Sequence, residues 1–155
     1  MNPLYPHAFY VQFDEDWELL RLLRNATADG MTRHQKEISR VEQQYYRNTT
    51  KKRHWIFKVQ DVTLARSITV GWCSLDDKGS YDEFSYGVSP FARGNGYGKH
   101  IIEYLKSGHR PLRGEVWAWN DASRHIMKKA GFVEGEKFHN QFPLGVIIPV
   151  EWKPE

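Results

Sequence analysis

The sequence predicts an α+β fold with about seven strands and four helices, in one domain spanning residues 1–155. Three apolar stretches, "HWIFKVQ", "SITVGWCSL" and "EFSYGVS", are separated by turn-like segments such as "DDKGS", which favours an antiparallel meander. Stretches with apolar residues three and four apart lie on each side of this meander and predict helices. The chain has no internal repeat, low-complexity tract or linker, so a second domain is not expected.

The residues of the first half support a strand, two helices and then the meander. "AFYVQF" is rich in aromatic and apolar residues, as an opening strand should be. "DEDWELLRLLRNA" has an acidic first turn and repeats Leu20 and Leu23 at helical spacing. A second helix, lying on the surface, is expected because Ile38, Val41 and Tyr45 recur at intervals of three and four. The predicted bounds are 8–13 for the strand, 14–26 and 34–47 for the helices, and 54–60, 67–75 and 83–89 for the meander.

The second half alternates helices with strands. A change of period predicts a helix over 97–107, where Ile101 and Leu105 are four residues apart. "LRGEVWAW" predicts a strand, with Glu115, Trp117 and Trp119 on one of its faces. "DASRHIMKKAG" predicts a helix that ends at a glycine. The predicted ranges are 112–119 for this strand and 121–131 for this helix. Two closing strands are predicted near 132–138 and 144–151.

The segment "FARGNGYGKH" places three glycines at the junction between the last meander strand and the following helix. A helix start leaves backbone N–H groups without partners and adds the positive end of the helix dipole. Gly94, Gly96 and Gly98 remove side chains that would hold an anion away, and Arg93 adds a cation that can engage a phosphate. The spacing fits neither a P-loop nor a dinucleotide fingerprint. The segment therefore predicts an anion site, with a flexible hairpin loop as the alternative.

Composition narrows the classes of function. The net charge of +3 suits a negatively charged small ligand but is short of the clustered basic surface of a nucleic-acid binder. A single cysteine, Cys73, excludes an internal disulfide framework and a multi-cysteine metal site, which favours a reducing compartment. No segment has the roughly 20 apolar residues of a membrane-spanning helix. We therefore expect a cytoplasmic protein that has no membrane partner.

Two motifs in order resemble the GNAT superfamily of acetyl-CoA-dependent N-acetyltransferases. "RGNGYG", starting at Arg93, is similar to its pyrophosphate loop, Arg/Gln-x-x-Gly-x-Gly/Ala. "NDASRHIMKKAGF", starting at Asn120, is similar to its Asn-x-x-Ser/Ala…Gly-Phe segment. In the first half, "DEDWELLRLLRN", Met31 and "ISRVEQQYY" resemble the branch of ribosomal-protein N-terminal and amino-sugar acetyltransferases. Glu83 and Tyr86 in "EFSYGVSP" resemble the strand that precedes the loop in that branch.

The resemblance implies a mixed, mostly antiparallel twisted sheet and acetyl-CoA as cosubstrate, without a metal. The implied cofactor-binding residues are Val88, Arg93, Gly94, Asn95, Gly96, Tyr97, Gly98 and Asn120. Many family members place a tyrosine seven residues after the equivalent of Asn120 to protonate the thiolate, but that position here is Met127. A thioether cannot donate a proton, so the resemblance makes the hydroxyl of Ser123 the substitute acid.

The other catalytic candidates are Asn120, Glu83 and Glu115. Asn120 is a good helix cap as well as an implied contact of the cofactor arm. Glu83 is the first candidate for the base, provided that its side chain faces the cleft and that partial burial raises its pKa. Glu115 is the second candidate. His54, His100 and His125 have no partner at metal-ligand spacing, and His139 lies where family members often shape the acceptor pocket.

The expected reaction is acetyl transfer from acetyl-CoA to a primary amine by direct attack in a ternary complex. A small-molecule acceptor is expected, with an amino sugar favoured by the resemblance of "ISRVEQQYY". The alternatives are a non-catalytic acyl-CoA-binding or regulatory module, and an acyltransferase acting on a protein N-terminus or a modified nucleic acid. A homodimer is also considered, because "LGVIIPVEW" could be an edge strand that pairs across a dimer.

Overall fold

The computed structural model describes residues 5–33 and 35–155. No helix among these residues is long and apolar enough to cross a membrane. Within these residues the strands are β1 (His7–Tyr10), β2 (Arg53–Asp61), β3 (Arg66–Asp77), β4 (Asp82–Val88), β5 (Leu112–Trp117), β6 (Val133–Glu134), β7 (Phe138–Gln141) and β8 (Leu144–Trp152). The α-helices are α1 (Asp14–Ala26), α2 (Arg40–Thr49), α3 (Tyr97–Lys106) and α4 (Asp121–Lys129). Single 3₁₀ turns occupy Ala28–Gly30 and Pro90–Ala92.

The strands form one mixed sheet in the order β1-β2-β3-β4-β5-β8-β6, and β7 also pairs with β8. Every pairing is antiparallel except that between β4 and β5. This confirms the predicted α+β class and the mostly antiparallel sheet. The sheet has eight strands in the described residues rather than about seven, because the segment predicted as one strand near 132–138 is divided into β6 and β7.

Strand β8 is not an edge strand, which corrects the expectation for "LGVIIPVEW". One side of β8 pairs with β5, from Ile147 to Trp152. Its other side pairs with β6 and β7. Its backbone groups are therefore engaged on both sides and do not offer a template for a second copy.

The second helix begins later than predicted, at Arg40 instead of residue 34. Ser39 caps it: Ser39 Oγ accepts from the Glu42 N–H at 3.1 Å, and the Glu42 carboxylate accepts from the Ser39 N–H at 3.3 Å. Ile38, which was assigned to the helix, precedes this cap and is held by Asn25 through its backbone N–H and carbonyl. Residue 34 itself lies outside the described residues.

The two faces of the sheet carry different hydrophobic clusters. The larger cluster packs α3 and α4 against one face and includes Ile101, Leu105 and Met127. The smaller cluster packs α1 on the other face, where Leu20 and Trp72 are buried. We call these the α3/α4 face and the α1 face.

Candidate active site

The only parallel pairing in the described sheet is short, and it opens a cleft. β4 and β5 pair at Asp82 with Leu112 and at Glu83 with Arg113, and no pairing continues beyond these residues. The backbone N–H groups along β4 point alternately to its two sides. The Asp82 N–H bonds to Pro111, just before β5, whereas the Ser89 N–H bonds to Val70 on β3. By this alternation, the N–H groups of Tyr86 and Val88 point toward the gap between the strands. The gap is part of a cleft of about 740 Å³.

The glycine loop borders one end of this cleft. Gly94 and Gly96 have φ values of +82° and +80°, a left-handed conformation that favours glycine, and a Cβ at either position would meet open space. Gly96 is the N-cap of α3 and provides no side-chain cap. Among the hydrogen bonds of the described residues, none uses a backbone N–H group from residues 93 to 99 as donor. The loop thus presents unpaired donors at a helix N-terminus, which fits a diphosphate.

Gly98 has a different role from its two neighbours. It is buried, and a Cβ there would lie 3.0 Å from Ile126 Cδ1 and 3.8 Å from the Tyr86 ring. The missing side chain lets α3 approach α4 and β4 closely. Close packing is thus a reason for glycine at this position, and the role of Gly98 in the anion site stays a prediction, with its N–H at the helix start.

Arg93 lies across the mouth of the cleft. Its Nε donates to the Val88 carbonyl at 3.3 Å, and its Nη2 lies 3.7 Å from Asp29. The side chain is half exposed, so it can turn toward a phosphate bound on the loop at little cost. Such a movement would also release the Val88 carbonyl, the strand-end group that was predicted to bond the cofactor arm.

Asn120 and Ser123 mark the start of α4 on the opposite side of the gap. Asn120 Oδ1 accepts from the Ser123 N–H at 3.2 Å, so Asn120 is the N-cap of the helix. Its amide nitrogen donates to no group within the described residues. Both side chains line the cleft.

Tyr86 is the residue that sequence reasoning missed as part of the chemistry. Its phenol oxygen lies 2.5 Å from Ser123 Oγ, which joins β4 to the first turn of α4. Burial raises the pKa of Tyr86, and the hydrogen bond with Ser123 opposes that shift. The raised pKa keeps the phenol protonated at neutral pH, so it can donate a hydrogen bond to Ser123. The Asn-x-x-Ser spacing locates Ser123, but the presence of Tyr86 beside it depends on how β4 and α4 meet.

The two candidate bases lie on the α1 face of the cleft and differ in their partners. Glu83 is exposed rather than partly buried, and it makes no ion pair or hydrogen bond with the described residues. Glu115 accepts two hydrogen bonds from Arg33, at 2.7 and 2.6 Å. Arg33 also lies over the Phe138 ring at 5.7 Å, so it ties the loop after α1 to β5 and β7. Glu83 is therefore the carboxylate left available, although the burial expected to tune it is absent.

Other residues considered from the sequence take structural or peripheral positions. Cys73 is fully buried, and burial raises its pKa, so it cannot form a reactive thiolate. His139 is exposed on β7. In the described part of the chain, no group of three His, Cys, Asp or Glu side chains is placed to hold a metal ion.

The comparisons with known proteins agree with this architecture. The chain matches the model of the acetyltransferase (GNAT) domain over residues 5–133. It is similar to spermidine N-acetyltransferase from Vibrio cholerae in complex with CoA and spermine, with a TM-score of 0.77, 16% identity, and coverage of 95% of this chain and 94% of that chain.

Two further structures are similar at comparable levels. One is yncA from Salmonella typhimurium with its cofactor acetyl-CoA, with a TM-score of 0.73, 13% identity, and coverage of 97% of this chain and 94% of that chain. The other is an N-acetyltransferase from Staphylococcus aureus Mu50, with a TM-score of 0.71, 16% identity, and coverage of 96% and 98%. No curated protein matches the sequence. At these identities the structural neighbours show the fold, and the family model, which spans most of the chain, shows that the protein belongs to the GNAT acetyltransferase family.

Proposed function

We propose that the protein is an N-acetyltransferase, one domain over residues 1–155, that moves the acetyl group of acetyl-CoA to the primary amine of a small molecule. One observation carries the proposal: the gap between β4 and β5 has unpaired N–H groups of the glycine loop at one end and the Tyr86–Ser123 hydroxyl pair beside it. These are the parts needed to hold a diphosphate, thread a thioester arm and protonate a leaving thiolate.

Cofactor binding is assigned mainly to the backbone. The N–H groups of Gly94, Asn95, Gly96, Tyr97 and Gly98 would receive the diphosphate, and Arg93 would add a charge-assisted hydrogen bond. Val88 and Asn120 both line the cleft, and the Val88 N–H and the Asn120 amide would bond the amides of the pantetheine arm.

In the proposed reaction the neutral amine nitrogen attacks the thioester carbonyl carbon. The C–N bond forms, the C–S bond breaks and the thiolate leaves. Ser123 Oγ gives its proton to that sulfur and takes a proton from the Tyr86 hydroxyl. Tyr86 is then reprotonated from solvent. Asn120 positions Ser123 by capping its helix. Glu83 accepts the proton that the amine nitrogen loses as the amide forms, directly or through water.

The charges of the cleft bear on the acceptor. Its lining holds five cations, Arg24, Arg33, Lys52, Arg93 and Arg113, but only three carboxylates, Asp29, Glu83 and Glu115. A polycation such as the spermine bound by the Vibrio cholerae neighbour would meet net repulsion here. The resemblance to amino-sugar acetyltransferases is compatible with this lining, so an amino sugar is our preferred acceptor class.

The test is calorimetric titration with acetyl-CoA, paired with a thiol-release assay over a panel of amines. We expect binding that Arg93→Ala weakens about tenfold, which corresponds to the loss of one charge-assisted hydrogen bond. Arg124→Ala is the control, since Arg124 is on α4 outside the cleft and pairs with Glu134 on β6. Absence of acetyl-CoA binding would overturn the proposal. Binding without turnover of any amine would instead indicate a non-catalytic acyl-CoA-binding module.

A further inference from the structure

Arg24, in the last turn of α1, differs from the other arginines of the cleft. Arg33, Arg93 and Arg113 each have a carboxylate within 4.0 Å, namely Glu115, Asp29 and Glu151. Among the described residues, the Arg24 guanidinium has no carboxylate within that distance and donates no hydrogen bond. Residues 1–4 and 34 include no acidic side chain.

The position of Arg24 makes this lack of a partner costly. Its side chain is partly buried on the cleft wall, and its guanidinium lies 4.8 Å from the centre of the Tyr46 ring. Burial lowers the pKa of Arg24 because water is removed without a compensating anion. Stacking on Tyr46 leaves the five N–H donors of the guanidinium unused.

The surroundings of Arg24 are suited to an anion. Lys52, Tyr46, His54 and Ser74 line the same part of the cleft. The Tyr46 hydroxyl lies 2.9 Å from His54 Nε2. Burial lowers the pKa of His54 to about 3, and the charges of Arg24 and Lys52 add to that effect. Among the described residues neither Arg24 nor Lys52 has a carboxylate within 4.0 Å, so the two cations give this part of the cleft a positive potential.

We propose that Arg24 is the centre of an oxyanion subsite, which binds a phosphate or carboxylate group carried by the acceptor amine. The guanidinium would donate to two oxygens of that group, Lys52 would add a second charge, and Ser74 would donate from the sheet. The acceptor class is therefore an amine that also bears an oxyanion.

The register of the sheet fixes how far this oxyanion lies from the amine. His54 is opposite Ser74, and Ser74 is opposite Ser85, so the three side chains form a polar row across β2, β3 and β4 on the α1 face. Two strand spacings separate β2 from β4, a distance of about 10 Å. If the amine reacts beside β4, as the proposed function requires, an oxyanion between Ser74 on β3 and His54 on β2 would lie one to two strand spacings away, about 5–10 Å. This span is too long for an α-amino acid.

The experiment is calorimetric titration of the CoA-saturated protein with inorganic phosphate and, in a second arm, with acetate. Saturation with CoA occupies the glycine loop, so the remaining anion binding reports the Arg24 subsite. The titrations are repeated with Arg24→Gln and Arg24→Lys, and with the exposed Arg66→Gln as control. CoA affinity and the circular dichroism spectrum of each variant check that the fold is retained.

We expect one anion-binding event in the intact protein, weakened at least tenfold by Arg24→Gln, less by Arg24→Lys, and unchanged by Arg66→Gln. Stronger binding of phosphate than acetate would identify a phosphate-bearing amine, and the reverse order would identify a carboxylate. Absence of binding by either anion, or equal binding by Arg24→Gln, would overturn the subsite. Failure to bind CoA would overturn the proposed function separately. The subsite would then be tested in CoA-free protein, by the difference in anion affinity between the intact protein and Arg24→Gln.

Discussion

The Tyr86 hydroxyl lies 2.5 Å from Ser123 Oγ, although the two residues are 37 positions apart in the chain. Tyr86 comes from β4 and Ser123 from the first turn of α4, and the pair lies beside the gap in which the thioester arm is proposed to lie. The position that the sequence resemblance assigns to a proton-donating tyrosine is Met127 here, and its side chain is buried in the core. The pair provides a proton donor at the cleft where Met127 provides none.

If Tyr86 and Ser123 act as one unit, removing either hydroxyl should cost about as much as removing both. We expect Ser123→Ala and Tyr86→Phe each to lower kcat about 10²-fold, with no greater loss in the double variant and unchanged acetyl-CoA affinity. Tyr45→Phe, an exposed tyrosine on α2, is the control. Losses that multiply in the double variant would show that the two hydroxyls act independently.

Gly96 and Gly79 form a matched pair for testing the cofactor loop. Both have positive φ, +80° and +90°, and a Cβ at either would meet open space. Each Gly→Ala variant should lower the free energy of unfolding by about 1–2 kcal/mol, because alanine is strained in that conformation. Only Gly96→Ala should also weaken CoA binding, by at least about tenfold, since its Cβ would enter the proposed diphosphate site. Denaturant unfolding and calorimetry measure the two effects, and equal CoA affinities would contradict the assigned loop.

The Arg33–Glu115 pair should affect the acceptor and not the cofactor. Arg33→Ala would free the loop after α1 from β5 and is expected to raise KM for the amine about tenfold with CoA affinity unchanged. Because the Arg33 side chain is 61% exposed, the change in unfolding free energy should be at most about 1 kcal/mol.

Arg124 and Glu134 provide the control for that experiment, since they form a similar two-bond pair outside the cleft. Arg124→Ala should leave KM for the amine unchanged. Steady-state kinetics with both substrates varied distinguishes the two variants, and a higher KM for acetyl-CoA in Arg33→Ala would place the loop on the cofactor side.

His54 should make the protein less stable as the pH falls. Burial, with the charges of Arg24 and Lys52, lowers its folded-state pKa to about 3, whereas its ordinary value is 6.5. Between these two values the unfolded chain binds a proton that the folded chain does not. The free energy of unfolding therefore falls by about 1.4 kcal/mol per pH unit from this group as the pH decreases below 6.5, and above 6.5 the group has no effect.

The measurement is urea unfolding at several values between pH 6.5 and 5, where few carboxylates titrate. His54→Gln removes the titrating ring and should flatten the slope, while the exposed His125→Gln should retain it. An identical slope in the intact protein and in His54→Gln would show that His54 is not the group responsible.

Features that depend on near neighbours in the chain could be predicted from the sequence. The bounds of α1, the Asn120 cap and the strand-to-helix junction at Gly94 and Gly96 all follow from periodicity, capping chemistry and local backbone preference. The predicted start of α2 was too early because the apolar repeat includes Ile38, whereas the helix starts after the Ser39–Glu42 capping box. The described residues form eight strands instead of about seven, because strands as short as β6 and β7 carry little periodicity.

The sequence by itself therefore determined the order of the elements, the glycine loop and the family motifs, because these are encoded within a few neighbouring residues. Only the tertiary structure decided which distant side chains meet: Tyr86 with Ser123, and Arg33 with Glu115, 82 positions apart. The same holds for Arg24, which has no ion pair among the described residues, and for the interior position of β8. These relationships depend on strand order and register, and on the early end of the β4–β5 pairing, which are properties of the whole sheet.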